Sequence, residues 1–140
     1  MEQKKLAAIE KVIFLKSVDI FSHATIEALG RVAALTEEVY FEPRATIYRE
    51  SDPVDAIYLV LKGRVAVEGN GRVVHEIGEA QTFGTVAALD RNPAIHTVKA
   101  IDRVHALKLN AQDFDDILSL DFDLVRAVFH ALCRMIRAGE

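Results

Sequence analysis

Apolar positions follow a helical period at both ends of the chain and an alternating period in the middle. Leu6, Ile9 and Ile13 share one helical face, and after a break at Ser17 to Asp19 a second run sets Ile26, Leu29, Val32, Ala33 and Leu35 on another. Thr25 stands where an N-cap belongs, so residues 5–35 are predicted to form two helices. From Thr36 to Leu109 the chain turns to short runs rich in Val, Ile, Tyr and Thr: EEVYF, ATIYR, AIYLVL, RVAVEG, RVVHEI, IHTVKAI and VHALKL. Turn formers separate them, among them Pro43, Asp52-Pro53, Lys62-Gly63, Gly69-Asn70-Gly71, Gly78 and Asn92-Pro93. Many short antiparallel strands with close turns predict a mainly β fold, a sandwich, barrel or jelly roll, over residues 36–110. The run AIYLVL is apolar at nearly every position, as a strand covered on both faces would be, and the flanking helices are the available cover.

Asn110, three residues before Asp113, resembles the start of a capping box, and residues 111–138 return to a helical period. Phe122, Val125, Phe129, Leu132 and Ile136 are spaced three and four apart and make one apolar stripe. Two destinations fit it. The ordinary one is packing against the β region; the other is the seam of a homodimer.

The chain has 140 residues, the length of one domain, and its 51% hydrophobic and 27% charged residues fit a folded globular protein. A net charge of −4 without a basic block gives no footprint for nucleic acid or an anionic membrane. Cys133 is the only cysteine, which excludes an internal disulfide, and the N-terminus has neither a signal sequence nor a membrane-spanning run. A cytoplasmic location is expected. The ending RMIRAGE follows directly on a helical pattern, as in a domain cut from a larger protein.

Candidate chemistry concentrates between Gln81 and Ala100. Phe83-Gly84 closes a strand, and Thr85 to Leu89 has the composition of a single helical turn, ended by Asp90, Asn92 and Pro93. A short helix after glycine offers unpaired backbone amides, which suit an anion such as a phosphate; a tight turn with a buried connector fits the same residues. The histidines, His23, His75, His96, His105 and His130, lack the close pairing of a metal-ligand set, so no metal is expected, and each reads as a surface or a hydrogen-bonded pocket residue. No Gly-x-Ser-x-Gly, Walker loop or enclosed carboxylate pair occurs, and the acids Asp113, Asp115 and Asp116 suit a helix start. The chain is not expected to be an enzyme. Cys133 is expected to be a small buried thiol of the last helix.

The order of elements resembles the cyclic nucleotide-binding domain family across nearly the full chain. The resemblance rests on Phe14 to Phe21 before the second helix, Ile57 to Val65 at a strand and turn, Phe83-Gly84-Thr85-Val86-Ala87-Ala88-Leu89 followed by Pro93 and Thr97 to Ala100, and Leu109 to Phe114. It implies an antiparallel double-stranded β-helix, or jelly roll, with N-terminal and C-terminal helices. It also implies that cyclic AMP or cyclic GMP binds in a phosphate-binding cassette and moves the C-terminal helix. Within that cassette the family has a Glu for the ribose hydroxyl and an Arg for the cyclic phosphate, where this chain has Thr85 and Ala94. The cassette is degenerate by that comparison. Ile95 and His96 stand where the family has small residues and would narrow the pocket, Thr97 matches a Ser or Thr near the phosphate or base, and Arg91 is the candidate substitute cation. Two functions follow from the resemblance: a sensor of weakened or altered affinity, with Phe83, Gly84, Thr85, Val86, Ala87, Ala94, Ile95, His96 and Thr97 at its site, or a non-binding interaction or dimerisation domain. A DNA-binding output is not expected within this chain, because residues 111–138 are used by the flanking helices.

Overall fold

The computed structural model describes residues 5–139. Residues 1–4 and 140, counted with the single domain in the sequence reading, lie outside the described residues. The elements run α1 (Ala8–Lys16), a short 3-10 turn (Asp19–Phe21), α2 (Ile26–Leu35), β1 (Thr36–Phe41), β2 (Thr46–Tyr48), β3 (Ala56–Lys62), β4 (Val65–Gly69), β5 (Arg72–Ile77), β6 (Thr82–Phe83), α3 (Thr85–Asp90), β7 (Thr97–Ala100), β8 (Val104–Asn110), α4 (Ala111–Leu120) and α5 (Phe122–Ala138). Two four-stranded antiparallel sheets, ordered β1-β8-β3-β6 and β2-β7-β4-β5, face each other as an open jelly roll rather than a closed barrel. The mainly β fold with flanking helices is therefore present.

Strand alternation divides the interior in two. Ile57 and Leu59 of β3 and Leu107 and Leu109 of β8 face the helices, where they join Leu15, Phe21, Leu29, Phe114 and Leu124. Val60 of β3 and Val104 and Ala106 of β8 belong instead to the roll interior, with Val65, Val67, Phe83 and Val98. The uninterrupted apolar run of β3 is explained by this double coverage. Phe21 and Phe114 meet edge to face at 5.8 Å, which ties the N-terminal and C-terminal helices into one layer.

Side-chain caps start three helices. Thr25 accepts the Ala28 amide at 3.1 Å, Asn110 that of Asp113 at 3.1 Å, and Asp121 that of Leu124 at 3.0 Å. Two faces differ from the sequence reading. On α1 the buried residues are Val12 and Leu15, whereas Ile9 and Ile13 are 63% and 66% exposed. On α5 the packed stripe is Leu124, Val128 and Ala131, and it leaves Phe122, Phe129 and Ile136 at 73%, 58% and 64% exposure. The expected packing of the Phe122 to Ile136 stripe on the roll is thus incorrect for these three residues. The reason lies in the neighbour: α5 packs on the 3-10 turn, and the face it buries is the one that carries Leu124, Val128 and Ala131, which turns the phenylalanines out.

Candidate functional site

A cavity of about 320 Å³ opens inside the roll. Its walls come from Val67 of β4, His75 and Ile77 of β5, Thr82 and Phe83 of β6, Tyr48 of β2 and Val98 of β7. Gly84 and the first turn of α3, Thr85, Val86 and Ala87, also line it, as does a strap of Ala94, Ile95 and His96. Met135 of α5 also reaches the lining.

Gly84 sets the turn into α3. Its φ is +79°, and a Cβ there would lie 2.9 Å from the Ala56 carbonyl oxygen and 3.3 Å from Val54 Cγ1, so the position has room only for glycine. The amides that follow are the first of α3 and have no earlier helical turn to receive them. Thr85 donates its hydroxyl proton to Thr82 at 2.8 Å. Phe83 is stacked on Tyr58 with centroids 4.9 Å apart and tilted against Tyr48 at 6.3 Å, giving the cavity an aromatic floor. Burial pushes the Tyr48 hydroxyl up to about 12, with the neighbouring Tyr58 adding to the effect and a hydrogen bond from the Gly84 amide opposing it.

The strap is held by its backbone. Ala94 donates its amide to Asp52 at 2.9 Å and accepts the Ser51 amide at 2.8 Å, which leaves its methyl buried against the cavity. Ile95 lines the rim with most of its side chain exposed, while His96 packs over Gly69, where a Cβ would lie 2.9 Å from its ring. Among the described residues, no lysine, arginine, aspartate or glutamate lines the cavity.

Eight of the residues expected at the site are brought together here: Phe83, Gly84, Thr85, Val86, Ala87, Ala94, Ile95 and His96. Thr97 is not among the lining. Its hydroxyl accepts the Glu50 amide at 3.0 Å, because alternation along β7 sends His96 and Val98 inward and Thr97 outward. Arg91 also points elsewhere: it pairs with Asp115 of α4 at 2.6 Å, so it does not stand in for the missing cation in this arrangement. Met135 is not among the residues singled out from sequence, and His75 is there only one of five histidines fit for the surface or a pocket. The period-two pattern of RVVHEI carries the signal for His75, and the sequence Leu124, Val128, Ala131, Met135, spaced four, three and four, carries it for Met135. The other histidines lie apart from the cavity, His105 bonded to Glu38 at 2.9 Å and His23 ring-to-ring with His130 at 4.3 Å. Cys133, expected to be buried, is exposed, since α5 turns that face to solvent.

Residues 38–121 match the family model described as the cyclic nucleotide-binding domain. The chain belongs to the cyclic nucleotide-binding domain family. It is a regulatory family rather than a catalytic one, which agrees with the reading that this chain is not an enzyme. Among its relatives is a cAMP-dependent protein kinase regulatory subunit of Dictyostelium discoideum, 29% identical over 110 residues that cover 73% of this chain and 34% of that protein. Another is a potassium channel of Oryza sativa subsp. japonica, 28% identical over 118 residues, or 78% of this chain and 13% of the channel. The structure of the regulatory subunit of a cAMP-independent protein kinase A from Trypanosoma brucei superposes with a TM-score of 0.77 at 25% identity, covering 93% of this chain and 47% of that one. This chain therefore spans no more than about a third of the length of these two curated relatives. No helix among the described residues is long and apolar enough to cross a membrane.

Proposed function

We propose that this domain is a cytoplasmic regulatory module of a larger protein, that a small ligand occupies the roll cavity, and that occupancy shifts α5 relative to the roll. The observation that carries this reading is Met135, which places the C-terminal helix in the cavity lining beside Thr85 to Ala87 and His96. A ligand filling the cavity touches α5 directly, so ligand affinity and helix position are coupled by the same contact. The volume, about 320 Å³, falls at the low end of the roughly 300 to 1,000 Å³ typical of small-molecule sites.

The ligand site consists of Phe83, Gly84, Thr85, Val86, Ala87, Ala94, Ile95 and His96, with α3 amides toward any phosphate and the ring system against the roll and α5. With Thr85 and Ala94 in place of an acid and a base, two charge-assisted bonds of about 1.5 to 3 kcal/mol each are missing. Cyclic AMP and cyclic GMP then bind about two to four powers of ten more weakly than they do with both groups present. Calorimetric titration of the domain and of the Thr85→Glu/Ala94→Arg double variant tests this. The double variant gains at least about a hundredfold for one cyclic nucleotide; an equal response from both proteins contradicts the site assignment.

A second reading rests on the exposed stripe of α5. Phe122, Phe129 and Ile136 form a largely exposed apolar face outside the core of the described residues, which favours an interaction or homodimerisation domain independent of ligand. Sedimentation as a function of concentration decides it: a monomer at all concentrations removes the homodimer.

A further inference from the structure

We infer that the roll cavity selects an uncharged, largely apolar small molecule carrying one or two hydrogen-bonding groups, and discriminates against anions. The inference rests on the cavity being a ligand site, as proposed above, and assigns the ligand's chemical class. Its first support is electrostatic. Among the described residues no formal positive charge lines the cavity, and the cations nearest in sequence are already committed, Arg91 to Asp115 at 2.6 Å and Lys99 to Glu68 at 3.4 Å. An anion entering this space gives up part of its water and gains no formal counter-charge beyond the first amides of α3, whereas a neutral molecule gives up far less.

The second support is the lining itself. It is mostly aliphatic and aromatic, and its polar members are the hydroxyls of Thr82, Thr85 and Tyr48 and the imidazoles of His75 and His96. The three hydroxyls supply both donors and acceptors, the complement of a neutral ring or amide rather than of an acceptor-only anion. The Thr85 hydroxyl proton is already given to Thr82, which leaves the Thr85 oxygen able to accept from a ligand N–H or O–H. The third is steric: a buried Ala94 methyl stands in the lining where the resemblance places an arginine, so this position offers an anion no charge.

The test uses two matched pairs that differ in charge on similar rings: adenosine against cyclic AMP by calorimetry, and N-phenyl-1-naphthylamine against 8-anilinonaphthalene-1-sulfonate by fluorescence, at neutral pH. The methyl resonance of Met135, one of two methionines in the chain, reports whether binding is at the cavity. In each pair with a member that shifts the Met135 methyl, the neutral member binds about tenfold or more tighter than its anionic partner. An anionic member that binds as tightly as its neutral partner or tighter, with the Met135 methyl shifted, overturns the ligand class while leaving the cavity as a ligand site. Failure of all four to shift that methyl overturns both. The variant Ala94→Arg extends the test: it narrows or reverses the preference within the adenosine pair, and an unchanged preference in a variant with an intact melting transition overturns the electrostatic argument.

Discussion

Replacing Gly84 by alanine puts two independent costs on one residue at the site. The backbone there has φ +79°, a left-handed conformation that costs an L residue about 1 to 2 kcal/mol. The new Cβ would also lie 2.9 Å from the Ala56 carbonyl oxygen, a backbone atom of β3 that cannot rotate away, and 3.3 Å from Val54 Cγ1. Relief requires moving either the β6 to α3 turn or the start of β3, a strain of about 1 to 2 kcal/mol more. The sum is about 2 to 4 kcal/mol, a fall in melting temperature of roughly 8 to 16 °C for a chain of this size. Gly71→Ala is the control, because Gly71 has φ +77° and no atom within 4 Å of its hypothetical Cβ, so it bears the conformational cost alone. Urea denaturation of both variants measures the difference. A Gly84→Ala loss within about 0.5 kcal/mol of the Gly71→Ala loss would refute the close approach of the α3 turn to β3.

The two stripes of α5 separate by mutation: Leu124→Ala, at a site 1% exposed, costs about 2 to 5 kcal/mol, while Phe129→Asp leaves stability within about 0.5 kcal/mol and abolishes any concentration-dependent sedimentation. Asp121 caps α5 through the Leu124 amide and pairs with Arg31, and both hold its carboxyl below the usual range. Its stabilisation is complete above about pH 3.9 and is lost as pH falls through the lower folded-state value. Asp121→Ala is accordingly destabilised by about 1 kcal/mol at neutral pH, in urea titrations, and the gap closes in acid. Tyr48 is shifted the other way, up to about 12, so the fold keeps its contribution below pH 10 and loses it between about 10 and 12. Alkaline absorbance titration finds that Tyr48→Phe removes a late-ionising phenol; a phenol lost near pH 10 instead would contradict its burial.

Much of the roll was legible because strands and turns carry local signals: alternating Val, Ile and Tyr runs, glycine at the left-handed positions 63, 71 and 84, and a doubly apolar β3. The candidate site was legible as a segment, Phe83 to His96, but not as a surface. Thr97 fell outside the lining for a reason the sequence already contained, the two-residue alternation that puts His96 and Val98 inward. His75 is legible from sequence only as one of several histidines fit for a surface or a hydrogen-bonded pocket position; its sharing a face with Ile77 is the signal that singles it out. The error on α5 has a different origin. Hydrophobic volume favoured the stripe with two phenylalanines, while the roll and the 3-10 turn accept the slimmer stripe of Leu124, Val128, Ala131 and Met135; which of two apolar stripes is covered depends on the shape of the neighbour, and one chain's periodicity does not encode that. Arg91 is similar, since its partner Asp115 lies 24 residues away on another helix.

Coupling between the cavity and α5 is the central claim, and hydrogen exchange measures it most directly. Amide exchange of the domain is followed with and without a saturating ligand from either matched pair. Changed protection in both Thr85–Asp90 and Phe122–Ala138 on binding is the predicted result. Protection confined to the roll, with α5 amides exchanging at the same rates in both states, would contradict the account.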